Sequence, residues 1–104
     1  MRVLVVDDSE RVRRVLASGL HSHGLATETA SDGTEALKVI DSQPIDVVVL
    51  DLMMPKLSGV EVLKFIRSQP HLASTPVAIF TNSFMSELAD AANGIGIQRT
   101  ISKA

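Results

Sequence analysis

The chain has 104 residues, 45% hydrophobic and 21% charged, the composition of one folded domain over residues 1–104, which sets aside disordered and fibrous classes. Its 10 basic and 12 acidic side chains give a formal net charge of −2, with no general attraction for nucleic acid or an anionic membrane; the absence of cysteine excludes disulfides and thiolate chemistry. No apolar run approaches the roughly 20 residues a bilayer span needs, and Met1-Arg2-Val3 leads straight to Asp7-Asp8 without a leader-like segment, so the expected location is cytoplasmic.

Val3-Leu4-Val5-Val6 is apolar without a polar face, as a strand buried on both sides must be, and Val47-Val48-Val49-Leu50 repeats the pattern. Between them Ser9 supplies an N-cap for a helix on which Val12, Val15, Leu16, Gly19 and Leu20 recur at spacings of three and four, closed by Gly24. Leu25 to Ala30 follows as a less apolar strand, hence an edge, and Ser31-Asp32-Gly33 turns into a helix carrying Ala36, Leu37 and Ile40 that ends at Pro44. After the third strand, a Pro55 to Gly59 loop leads to a helix with Val62, Leu63 and Ile66 that stops before Pro70. Val77 to Phe80 reads as strand four, Phe84, Leu88, Ala91 and Ala92 mark a helix ending near Asn93-Gly94, and Ile97 to Ser102 reads as strand five. Such alternation predicts an α/β fold, a parallel sheet wrapped by crossover helices.

Asp7-Asp8, Asp51, Thr81 and Lys103 each fall at the carboxyl end of a different predicted strand. In open α/β sheets that edge is where ligands bind. Neighbouring carboxylates repel one another and call for a counter-ion; hard oxygens suit Mg²⁺, which keeps several waters, accepts one or two protein carboxylates and shares a phosphate oxygen. Lys103 adds a point charge for a phosphoryl oxygen and Thr81 a hydroxyl donor. A carboxylate can itself be the nucleophile and form an acyl phosphate.

In order and spacing, Leu4-Val5-Val6-Asp7-Asp8-Ser9, then Val48-Val49-Leu50-Asp51-Leu52-Met53-Met54-Pro55 with Gly59, then Phe80-Thr81 and Lys103, resemble the receiver domain of response regulators over nearly the whole chain. The resemblance implies a flavodoxin-like, doubly wound, five-stranded parallel sheet in the order 2-1-3-4-5. It also implies a phosphorylation-switched module of a two-component system, whose only catalysis is gaining and losing its own phosphoryl group. Asp51 takes the place of the phosphoacceptor, and Thr81 and Lys103 contact the phosphoryl oxygens. Asp8 and Asp51 ligate Mg²⁺ through their side chains, Met53 through its backbone carbonyl, and Asp7 holds metal-bound water. The implied donor is the phosphohistidine of a sensor histidine kinase or phosphotransfer protein.

Receivers continue past the lysine into a fifth helix, whereas this sequence stops at Ala104. The expectation is an apolar side left uncovered around strands three to five, filled by a second copy in a homodimer or by a continuation of the chain. On strand five, Gln98, Thr100 and Ser102 share one face and Ile97, Arg99 and Ile101 the other. Thr100 also stands where receivers often carry an aromatic switch residue, which puts the usual relay from Thr81 in question. Met53 and Ser83 occupy the positions that orient water in receivers; Met53 lacks a strong hydrogen-bonding side chain, so a long-lived phosphoryl group is expected, one that Met53→Asn shortens.

Plainer readings exist for each residue. Asp7, Asp8 and Asp51 fit turn or helix-capping roles, and Lys103 fits a solvated terminal lysine. His21 and His23, two apart on a helix, point roughly 200° away from each other and read with His71 as surface histidines. Arg11, Arg13 and Arg14 read as a solvated helix face, with kinase docking the sharper alternative, and Met53 and Met54 as loop packing. The competing function is a pseudo-receiver, a docking or dimerisation scaffold without a phosphate switch. A nucleotide- or flavin-binding protein lacks its Gly-rich loop after strand one, and an Asp-x-Asp phosphatase is opposed by Leu52-Met53 after Asp51.

Overall fold

The computed structural model describes residues 1–51, 59–72, 74–81 and 99–102, with the backbone alone at 71, 80, 81 and 99–102. The two continuous apolar runs become adjacent parallel strands, β1 (Arg2–Val6) and β3 (Val47–Leu50), paired from Val3 opposite Val47 to Val6 opposite Leu50. Strand β2 (Ala26–Ala30), the least apolar, takes the edge beside β1. β4 (Val77–Thr81) and β5 (Arg99–Ser102) extend the other side, completing a five-stranded sheet in the order β2-β1-β3-β4-β5. The predicted order 2-1-3-4-5 is the observed one. The start predicted for strand five at Ile97 and Gln98, the Pro55 loop and the helix from Phe84 lie outside the described residues.

Strand side chains alternate between faces, and Leu4, Val6, Val48, Leu50, Val77 and Ile79 all join one buried cluster. It is closed by Ala36 and Ile40 of α2 (Gly33–Ser42) and by Val62, Leu63 and Ile66 of α3 (Gly59–Ser68). Each such side chain contributes about 1.5–3 kcal/mol when fully buried, so this layer dominates the stability. Asp32 starts α2 by accepting from the Glu35 N–H at 2.8 Å, and Ser31 Oγ donates to the Glu35 carboxylate at 2.8 Å. A 3₁₀ turn at Pro70–Leu72, which the sequence reading did not foresee, follows α3; Arg67 donates to the Thr75 carbonyl beyond it at 2.7 Å.

The other face carries α1 (Glu10–Ser22), which packs on β1 and β2. Ser9 caps it, its Oγ accepting from the Val12 N–H at 3.3 Å. At the far end Gly24 has φ +79°, and the Gly24 and Leu25 N–H groups donate to the His21 and Leu20 carbonyls at 2.9 and 3.2 Å, a left-handed glycine cap. The predicted apolar face is only partly correct. Val12, Leu16 and Leu20 are half-buried, but Val15 is 65% exposed and Gly19 is exposed. The helix sits over β1 and β2, so the arc that turns inward is the one shared by Val12, Arg13, Leu16, Ala17 and Leu20. At the opposite edge of the sheet from the predicted site, the Arg2 N–H donates to Asp46 at 2.6 Å and its guanidinium meets Gln43 and, at 3.5 Å, Glu28. Among the described residues, no helix is long and apolar enough to cross a membrane.

Candidate functional site

Register sets the geometry of the site. Val6, Leu50 and Ile79 lie level across β1, β3 and β4, so Asp7 and Asp51 are the next residues of neighbouring strands and leave the sheet side by side. Main-chain bonds carry this register one step past the strands: the Asp51 N–H donates to the Val6 carbonyl at 2.8 Å, and the Asp7 N–H to the Ala30 carbonyl at 3.1 Å.

The β1–α1 connection then turns on Asp7 itself. Its Oδ1 accepts from the Ser9 N–H at 2.9 Å, the two-residue Asx turn that a short carboxylate favours. The turn reading of Asp7 is therefore realised. Arg13, one helical turn past the cap, reaches back so that its Nη1 donates to the Asp7 carbonyl at 2.8 Å. That corrects the solvated-face reading for one of the three arginines: Arg13 is half-buried, while Arg11 and Arg14 are exposed and Arg14 pairs with Glu10 at 2.7 Å. Nothing local in the sequence sets Arg13 apart from Arg11 and Arg14; its place on the inward arc beside Val12 and Leu16 follows from how α1 docks on the sheet.

One carboxylate oxygen from each of Asp7, Asp8 and Asp51 lies within 4.8 Å of the other two. Asp7 is 1% and Asp51 2% exposed, whereas Asp8 is exposed, so the cluster has a buried floor and an open mouth. Like charges this close, two of them out of water, are offset best by a cation. The donors are all hard oxygens, which fit Mg²⁺ and not a soft metal. The backbone of Thr81 ends β4 level with Ser102 of β5, on the same edge of the sheet. Its side chain, with Met53, Ser83 and Lys103, lies outside the described residues. His21 and His23 are exposed on α1 and just past it, apart from this cluster.

An open parallel sheet with buried carboxylates at the carboxyl ends of its central strands defines a doubly wound α/β protein with a cation-ready edge. Residues 3–104 match the family described as Response regulator receiver domain, and the chain belongs to that family. It is 32% identical to the Vibrio cholerae chemotaxis protein CheY4, with a TM-score of 0.91, covering 98% of this chain and 85% of that one. The Thermotoga maritima response regulator TrrA, solved in complex with Mg²⁺ and BeF, is 33% identical at a TM-score of 0.86, covering 99% of this chain and 86% of that one. The response regulator MprA of Mycobacterium avium is 50% identical over 68 residues, 65% of this chain and 30% of that protein. The match thus spans about a third or less of the length of such curated relatives.

Proposed function

We propose that the chain is a phosphorylation-switched signalling module that accepts a phosphoryl group on Asp51. The observation that carries this reading is the convergence of Asp7, Asp8 and Asp51 within 4.8 Å at the sheet edge. The likeness to TrrA, which was solved with Mg²⁺ and BeF, supports it.

In this reading an Asp51 carboxylate oxygen attacks the phosphorus of a phosphohistidine on a sensor histidine kinase or phosphotransfer protein. The new O–P bond makes an acyl phosphate, the P–N bond breaks, and the imidazole nitrogen leaves with the electron pair. Burial of Asp51 at 2% exposure removes competing water from the nucleophile. The Asp51 N–H bond to the Val6 carbonyl fixes the main chain from which the attacking carboxylate projects. Asp8 and Asp51 would hold Mg²⁺ through their carboxylates, Met53 through its carbonyl, and Asp7 through metal-bound water. The bound ion supplies charge compensation for the transferred phosphoryl group. Thr81 and Lys103 contact the phosphoryl oxygens, donating a hydrogen bond and a positive charge.

On the α1 side of the sheet, Val47, Val49 and Ala78 are half-buried. We infer that either a second copy or a continuation of the chain covers them, and a clean monomer by light scattering at micromolar concentration overturns the second copy. For the main reading, incubation with acetyl phosphate and Mg²⁺ followed by intact mass is expected to add one phosphoryl group to the parent and none to Asp51→Asn. A parent that takes no phosphoryl group leaves only the scaffold.

A further inference from the structure

The three basic residues at the start of α1 behave differently. Arg11 and Arg14 are exposed, Arg14 bound to Glu10, whereas Arg13 is half-buried and spends its side-chain hydrogen bond on the Asp7 carbonyl at 2.8 Å. That carbonyl belongs to the peptide joining Asp7 to Asp8, and the peptide is planar, so fixing its direction fixes the plane from which Asp8 departs. Asp7 has anchors of its own in Ala30 and Ser9. The exposed carboxylate of Asp8 makes no hydrogen bond or ion pair among the described residues. Its place within 4.8 Å of the other two carboxylates is therefore set through its backbone.

We propose that Arg13 is a positioning residue for the acidic pocket: by holding the Asp7–Asp8 peptide it presets the Asp8 carboxylate for a divalent cation. The proposal rests on the reading of the pocket as a Mg²⁺ site. Charge and position pull in opposite directions here, which makes the proposal easy to test. Arg13 is a cation at the rim of an acidic cluster, so a purely electrostatic role means that its removal tightens Mg²⁺ binding, by about twofold for a screened charge several ångströms away. Outer partners that orient metal ligands are worth more, about tenfold or greater in affinity.

The experiment is calorimetric titration of the whole chain with Mg²⁺, parent against Arg13→Met, with unfolding midpoints measured in chelator as the control for folding. Arg13→Met is expected to bind about tenfold more weakly. Arg13→Lys keeps the charge but is one atom short of the carbonyl, and it too is expected to bind more weakly than the parent. Parental or tighter binding by Arg13→Met overturns the proposal while leaving the pocket intact; a parent that takes no Mg²⁺ overturns the pocket reading and the proposal together. Should Arg13→Met fail to fold, the unaltered chain decides by NMR. The Arg13 guanidinium signals must show hindered rotation and shift with the same Mg²⁺ midpoint as the Asp8 amide, and a freely rotating, unresponsive guanidinium overturns the proposal.

Discussion

On the face covered by α2 and α3, Leu4, Val6, Val48, Leu50, Val77 and Ile79 are at most 1% exposed; on the α1 face Val3 and Val5 are similarly buried, but Val47, Val49 and Ala78 are only half-covered. Both faces come from the same unbroken apolar runs, so hydropathy alone assigns them equal roles. Packing separates them. One face is a closed core that fixes the register of the strands, and that register delivers Asp7 and Asp51 side by side. The other leaves apolar surface, and its helix is tied to the pocket through Arg13.

The largest expected effect lies on the closed face. Leu63→Ala should cost about 2–5 kcal/mol in urea unfolding, because a fully buried side chain leaves a cavity. Val49→Ala, half-buried on the α1 side, should cost about 1 kcal/mol. Equal costs at the two positions would erase the distinction between the faces. Gly24→Ala isolates the end of α1: nothing lies within 4 Å of an added Cβ, so the expected loss of about 1–2 kcal/mol is the backbone cost of φ +79° alone. A neutral result would mean that the cap is not needed to dock α1.

At the rim the sign reverses. Asp8→Asn, at the exposed mouth of the cluster, removes one of three crowded negative charges, so without metal it should be more stable to unfolding than the parent, by on the order of 1 kcal/mol. Added Mg²⁺ should then stabilise the parent more than the variant. The smallest effect belongs to Val15→Ala, at 65% exposure, which should stay within about 0.5 kcal/mol of the parent.

Much of this was legible in the sequence because local signals agreed with the fold. The runs at Val3 and Val47 found central strands, Ser9 and Asp32 capped their helices, and the weak apolarity of Leu25 to Ala30 marked the edge strand. The three aspartates were legible because strand ends in a parallel sheet share an edge. Contacts set by tertiary geometry were not. Val15 keeps the helical period yet faces out, since period does not say where on the sheet a helix sits. Arg13 looked like its neighbours because its bond to the Asp7 carbonyl depends on how tightly the β1–α1 connection turns. The Arg2 bonds to Asp46 and Gln43 join residues more than 40 apart in the chain and leave no local trace.

The central claim is chemical, that the buried carboxylate ending β3 accepts a phosphoryl group. Its most direct test is to treat the chain with acetyl phosphate and Mg²⁺, reduce with borohydride and sequence the peptides by mass spectrometry, since an acyl phosphate is reduced to an alcohol while a free carboxylate is not. The expected result is homoserine at position 51, abolished by chelator. Homoserine at another aspartate, or unreduced Asp51 in a chain that has gained a phosphoryl group, would contradict the account.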